Sequence, residues 1–422
     1  KKTKLPDGPT VLSLPMEGRS GVAAGIWLRI GSRDDPPGLS GISHLSEHLM
    51  FKGTERRSAT EIARRLESVG ASHDAYTSRE ETSYYAYLPA MELKLALDIL
   101  GDMLSNYRLE EDSFRREKSV VLSEIADVAD SPRQSAMDIF PKTLYGNHSL
   151  GDPIFGYPES VSGMSRADVE SFLDSSYNMQ TALVAAAGKV NHEQLVDLAG
   201  NHLRLPKTGR EIERTPPKDY DGGTLHLIPR EASQVTIILG GRSFPYSDPR
   251  RYPLAVLNHI LGTGASSLLF QRMREEAGIG YKIFSFNEFF GDCGDWGIFA
   301  SVEPGNVGQF FSILRGILDD LSGDYIDDEL LSRTIRGFRG HLQLENDSLS
   351  GLLTRLVDTE VNLGRFVSIE ESAAEIETLT PDELRNLARE LYSPDRMTGI
   401  ILGAKPGEMC PDWLTQKSGE LA

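Results

Sequence analysis

Cysteine is nearly absent from these 422 residues: Cys293 and Cys410 lie far apart and outside any Cys-x-x-Cys spacing. That excludes a disulfide framework and a thiolate zinc site, so any metal must be held by histidine and carboxylate. Positive charge is also short, with 44 Lys and Arg against 62 Asp and Glu, a formal net charge of −18. Nucleic acid and anionic membrane both call for a basic face, and neither is expected as a partner. No stretch approaches the ~18 uninterrupted apolar residues of a membrane span. The opening residues, Lys1-Lys2-Thr3-Lys4-Leu5-Pro6, contain no apolar leader core. The expected compartment is the cytoplasm, with the periplasm as the alternative if a signal peptide preceded them. What is present is ordinary for a globular protein, 39% hydrophobic and 25% charged, and the length implies two or three domains.

Histidine is scarce, at nine, yet two of the nine fall in His44-Leu45-Ser46-Glu47-His48. On a helix, His44 and His48 stand at i and i+4 on one face with Glu47 beside them. Two neutral imidazoles at that spacing can grip one zinc ion, and a neighbouring carboxylate that is not itself a ligand can act as a general base. The order His-x-x-Glu-His inverts the commoner His-Glu-x-x-His arrangement. Ile42, Leu45, Leu49 and Met50 supply the helical apolar spacing, and Gly53 ends it.

The rest of the first half reads as strands over 10–14 and 22–30 and a helix from Ser58 to Val69 with a capping box. A hairpin follows over 71–88, with its turn at Arg79-Glu80-Glu81. Helical patterns cover about 91–106 and about 110–129, and a looser Gly- and Pro-containing stretch leads to a helix near 165–176. A buried strand over 181–187 and a helix over 191–202 complete the half. Residues 203–222 have the Pro, Gly and charge content of a linker. Beyond them the order restarts: strands at 225–228 and 234–240, helices at 252–261 and 267–276, and a strand pair over 280–303. We read an internal duplication with a period of roughly 210 residues, giving domains 1–210 and 211–422. The second copy has lost the motif, since its counterpart holds only His259.

A catalytic zinc needs about three protein ligands and one open position. His148, His192, His202, His226 and His341 stand alone, and His73 lies on a strand. The better source is the helix that carries Glu117 and Glu124, two carboxylates bordering the apolar stripe of Phe114, Val121, Ile125 and Val128. They are seven residues apart, about 10.5 Å along the axis, so both can face inward while one touches a metal. On spacing alone either remains a candidate ligand, or an exposed helix charge.

His44-Leu45-Ser46-Glu47-His48, with Phe51-Lys52-Gly53-Thr54 after it and Glu124 further on, resembles the inverzincin metallopeptidases of the pitrilysin family, M16. The likeness extends over Asp74-Ala75-Tyr76-Thr77-Ser78, the stretch from Leu150 to Tyr157, and Leu268-Leu269-Phe270 through Tyr281. It is strongest to the short two-domain members that include bacterial processing proteases and the mitochondrial processing peptidase. The resemblance implies zinc, one ion per chain, held by His44, His48 and Glu124, with Glu47 as general base and Glu117 as a supporting carboxylate. It implies that Arg274 and Tyr281, from the second half, hold the substrate chain. Asp74, Ala75 and Thr77 would line an edge to which an extended peptide adds as a strand. The expected fold is α+β: two homologous domains, each an antiparallel-rich sheet with helices packed mainly on one face. The expected activity is endoproteolysis of peptides or unfolded segments held in a cavity between domains, and the expected assembly is a homodimer. The alternatives are a non-proteolytic assembly subunit of the same fold and a zinc hydrolase acting on something other than a peptide. Asp74 stands where Asn is common in the family, and Leu45 and Ser46 stand where Phe and Leu are.

Overall fold

A computed structural model describes residues 1–210, 212–220, 222–280, 282–345, 347–403 and 411–418. Twelve strands are found among them: β1 (Lys2–Lys4), β2 (Thr10–Pro15), β3 (Gly21–Leu28), β4 (Ser72–Thr77), β5 (Thr82–Pro89), β6 (Ala182–Gly188), β7 (Thr224–Ile228), β8 (Val235–Ser243), β9 (Lys282–Phe289), β10 (Gly294–Val302), β11 (Thr398–Leu402) and β12 (Thr415–Ser418). They form two six-stranded sheets, ordered β1-β2-β6-β3-β5-β4 and β12-β7-β11-β8-β10-β9. With β1 and β12 set aside, the remaining strands follow the same order in both sheets. The duplication read from the sequence is therefore a duplication of topology. Both sheets are mixed but mostly antiparallel: only β2 with β6, β11 with β7 and β12 with β7 run parallel among the described pairings. The α+β expectation holds.

The chain divides into two compact units, Lys1–Asp127 with Asp152–Thr215 and Glu345–Phe366, and Val128–Gly151 with Pro216–Leu344 and Val367–Ala422. Two segments thus lie on the far side of a division at 210/211. One contains the helix Pro132–Tyr145, which packs on β8 and β11 of the second sheet through Ala136, Phe140 and Leu144. The other contains the helix Leu349–Leu363, which crosses β6, β3 and β2 of the first. The physical reason is coverage. In β3, Val22, Ala24, Ile26 and Leu28 face one core, where Leu97, Leu100 and Met103 of the helix Leu93–Ser105 also pack. The alternate residues Ala23, Gly25, Ala185 and Ala187 leave a shallow second face that one more helix can seal. Among the described residues, helices are mainly on one side of each sheet, with the helix Pro132–Tyr145 or Leu349–Leu363 on the other. The sequence reading did not register 132–145 as a helix. Pro132 suits a first helical turn, but Pro141 lies inside the helix and obscures the pattern.

The edge strand β4 has a defined polarity. Lys189 donates to the Gly21 carbonyl and Arg29 to that of Thr181, so odd residues of β3 bond β6 and even residues bond β5. Hydrogen bonding alternates along an antiparallel ladder. In β4, paired residue for residue with β5, Ser72, Asp74 and Tyr76 therefore bond β5. His73, Ala75 and Thr77 turn their N–H and C=O groups to the open edge.

Behind the motif, a buried ion network fixes the loop that follows it. Arg57 reaches Asp102 at 2.5 Å and also pairs with Asp98; Thr54 donates to Asp102 at 2.7 Å, and Asn106 to its other oxygen at 2.9 Å. Arg57 is 7% exposed and Asp102 2%. Removing one partner leaves the other charge buried and uncompensated, so Arg57→Met is expected to cost about 3 kcal/mol of unfolding free energy by urea titration. A loss under about 1 kcal/mol would show that the pair is dispensable.

Candidate active site

The motif helix runs Ile42–Met50, with Ile42, Leu45, Leu49 and Met50 wholly buried and the polar triplet His44, Glu47 and His48 on another side. Its start is built by a carboxylate. Asp35 accepts the Gly41 and Ser43 amides at 2.7 and 3.2 Å and the Ser43 hydroxyl at 2.5 Å, satisfying donors that a helix N-terminus leaves free. Burial pushes the Asp35 carboxyl up to about 7, against the pull of those hydrogen bonds. Gly41 has φ +93° and Gly156 φ +80°. A Cβ on Gly41 would meet the Phe155 carbonyl at 2.4 Å, and one on Gly156 the Ser40 carbonyl at 2.2 Å. Only glycine permits this contact. It brings the Phe155 ring against His44, centroids 4.6 Å apart and nearly perpendicular.

Glu117 and Glu124 project from the helix Glu111–Asp130, on which Phe114 and Val121 are buried. Glu124 Oε2 lies 3.5 Å from His48 Nε2 and 3.9 Å from His44 Nε2. One ligand atom from each of the three lies within 4.8 Å of the others, and this is the one such grouping of three or more found among the described residues. Tetrahedral zinc with bonds of about 2.0–2.2 Å sets its ligands about 3.4 Å apart, so the triangle is close to closing on an ion. The donor set fits the metal on two further grounds. Burial, with His48 adding to it, pushes His44 down to about 3, so its imidazole is neutral and its contact with Glu124 is not an ion pair. Glu124 Oε2 is buried and has no hydrogen-bond partner among the described residues, an unmet demand that a cation would satisfy.

The two glutamates take different positions. Glu117, 7% exposed, has Oε2 at 3.4 Å from His48 Nδ1 and Oε1 at 2.9 Å from the Lys52 ammonium. A carboxylate on the far nitrogen of an imidazole fixes its tautomer and leaves Nε2 as the donor atom. Spacing left the two carboxylates equivalent; in the structure Glu124 faces both Nε2 atoms and Glu117 faces Nδ1 of His48. Glu47 is not part of the triangle; its Oε2 accepts the Thr77 hydroxyl at 2.5 Å. Burial pushes the Glu47 carboxyl up, the Thr77 hydroxyl and His48 oppose the rise, and Asp74 and Glu124 add to it.

Asp74 is exposed on β4, and its Oδ1 accepts the Ala75 amide at 2.9 Å, one of the groups turned to the open edge. Ala75 packs its methyl against the first core. All these residues belong to the first unit. Arg274 belongs to the second, on a short π-helical segment Phe270–Glu276, with its guanidinium 4.7 Å from the centroid of the Phe270 ring. Tyr281 lies outside the described residues. Three contributors escaped the sequence reading: Asp35, Phe155 and the role of Lys52. Lys52 had a signal, being four residues after His48. Phe155 had only the family likeness of the stretch from Leu150 to Tyr157, which does not give its contact with His44, because its place depends on a glycine contact between segments more than a hundred residues apart.

Comparison with known proteins agrees across the chain. Residues 10–157 match the family described as Insulinase (Peptidase family M16), and residues 163–338 match the Peptidase M16 inactive domain. An uncharacterized zinc protease of Streptomyces coelicolor is 33% identical over 415 residues, 95% of this chain and 89% of that protein. Another, from Bacillus subtilis, is 30% identical over 94% of this chain and 96% of its own. Among solved structures, a protease from Helicobacter pylori superposes with a TM-score of 0.89 at 22% identity, over 95% of this chain and 98% of that one. At that identity the likeness is one of fold.

Proposed function

The chain belongs to peptidase family M16, and from that premise we propose that it is a zinc-dependent endopeptidase acting on peptides or unfolded segments. The observation that carries the reading is the convergence of His44, His48 and Glu124 on one point with a separate carboxylate, Glu47, on the same helix as both histidines. His44, His48 and Glu124 hold one zinc ion per chain. When bound, the ion supplies a Lewis acid that polarises the scissile carbonyl and makes the attacking water more acidic. Glu47 takes the proton from that water and passes it to the leaving amine. Glu117, clamped by Lys52, orients His48. The peptide lies extended along β4, paired with the open backbone groups of His73, Ala75 and Thr77, with Asp74 beside them. Arg274 and Tyr281 are assigned to the substrate by the family likeness: a guanidinium and a phenol donate to carbonyl oxygens. A homodimer is proposed on the same likeness. No described helix is long and apolar enough to cross a membrane.

The test is incubation of the purified protein with an unfolded peptide, with and without a chelator, read by mass spectrometry. Cleavage that stops with the chelator and returns with added zinc is expected. Cleavage indifferent to the chelator would sink the metal reading. An intact peptide beside zinc-loaded protein would favour the non-proteolytic subunit or a different substrate class.

A further inference from the structure

Thr77 is the last residue of β4, paired across the ladder with Thr82. Successive side chains of a strand point to opposite faces. Tyr76 goes one way, its hydroxyl donating to Glu81 at 2.6 Å and accepting from the Trp27 indole at 3.3 Å. Thr77 goes the other, toward the motif helix, and its hydroxyl ends 2.5 Å from Glu47 Oε2. The frame beneath it is well tied. Thr82 is fully buried and donates to the Ile30 carbonyl at 2.8 Å, and the turn beyond Thr77 is closed by Ser78 donating to Glu81 at 2.8 Å. A β-branched side chain is stiff at χ1, so the sheet itself sets the direction of this hydroxyl.

We propose that Thr77 is a positioning residue for Glu47, holding one carboxylate oxygen so that the other is presented to the attacking water. The inference rests on Glu47 being the general base. An ionised carboxylate only accepts hydrogen bonds, and a threonine hydroxyl has a single proton to give, so the direction of this bond is fixed. Glu47 sits on a helix with three side-chain torsions of its own. The neighbouring ligands do not hold it, and among the described residues Thr77 is its one hydrogen-bonding side chain. Anchoring Oε2 from the sheet removes most of that freedom and leaves Oε1 as the base. Thr77 was expected from family likeness to contact substrate. Its backbone does face the open edge, while its side chain serves the base.

The test compares Thr77→Val, which keeps the shape and loses the hydroxyl, with Thr77→Ser, which keeps the hydroxyl. Thr77→Val is expected to lower kcat about 10- to 100-fold with KM within about twofold of wild type, the size of effect that a misplaced catalytic group produces. Thr77→Ser is expected to recover most of kcat. Elemental analysis should find zinc unchanged in both. A wild-type kcat in Thr77→Val overturns the inference. So does a Thr77→Ser as impaired as the valine variant, a change confined to KM, or loss of zinc. If Thr77→Val does not fold, Thr77→Ala carries the same comparison. The two readings fail separately. A wild-type protein that cleaves no peptide defeats the proposed function, whereas a cleaving protein that needs Glu47 but not Thr77 defeats only this one.

Discussion

Glu124→Gln is expected to leave a folded protein that has lost zinc by elemental analysis and peptide hydrolysis with it. Two neutral imidazoles supply donor atoms but no charge. Glu124 is the anion of the triangle, its Oε2 at 3.5 and 3.9 Å from the two histidines and otherwise without a hydrogen-bond partner among the described residues. An amide keeps the shape and removes the charge. The affinity should fall by more than the roughly 10- to 100-fold seen when groups outside the ligand set are changed. Because no described residue hydrogen-bonds that oxygen, the metal-free variant should unfold at a denaturant midpoint near that of metal-free wild type. Unchanged zinc would transfer the ligand role to Glu117.

Glu47→Gln should give the opposite pattern, with about one zinc per chain retained and turnover lowered by roughly 10³-fold or more, in the upper range for loss of a general base. That is about 4 kcal/mol of barrier at 1.36 kcal/mol per tenfold change. The glutamine carbonyl can still accept the Thr77 hydroxyl, so the side chain stays in place, but an amide cannot take the proton. The isolated defect is in proton transfer, so KM should change little. Activity within tenfold of wild type, measured on the same peptide, would remove Glu47 from the mechanism.

How much of this was legible in the sequence depends on distance along the chain. The i, i+4 spacing of His44 and His48 and the hairpin around Arg79-Glu80-Glu81 are local, and the structure has them as read. The helix with Glu117 and Glu124 was legible by period, which placed both carboxylates on one side. Period could not say which meets Nε2 of His48 and which meets Nδ1, because that depends on how two helices approach each other. Spacing and family likeness put Thr77 on a substrate edge, and only the fold turns its hydroxyl to Glu47. The helices 132–145 and 349–363 show the same limit. An apolar stripe says that a helix covers something, and here each covers a sheet built mostly from the other half of the chain.

That last exchange bears on how the protein is made. The first unit has every described strand of its sheet by residue 188, yet the helix that seals its shallow face begins at Leu349. At about 5–20 residues per second, synthesis of the intervening stretch takes roughly ten to thirty seconds. During that interval the Ala23, Gly25, Ala185 and Ala187 face has no cover from its own helix. A fragment ending at the linker would be frozen in that state, prone to aggregation and a natural client for chaperones. A cut near residue 210 would part each unit from a helix that packs on its own sheet, and expression of the half that carries His44, His48 and Glu124 calls for residues 345–366 to be supplied with it.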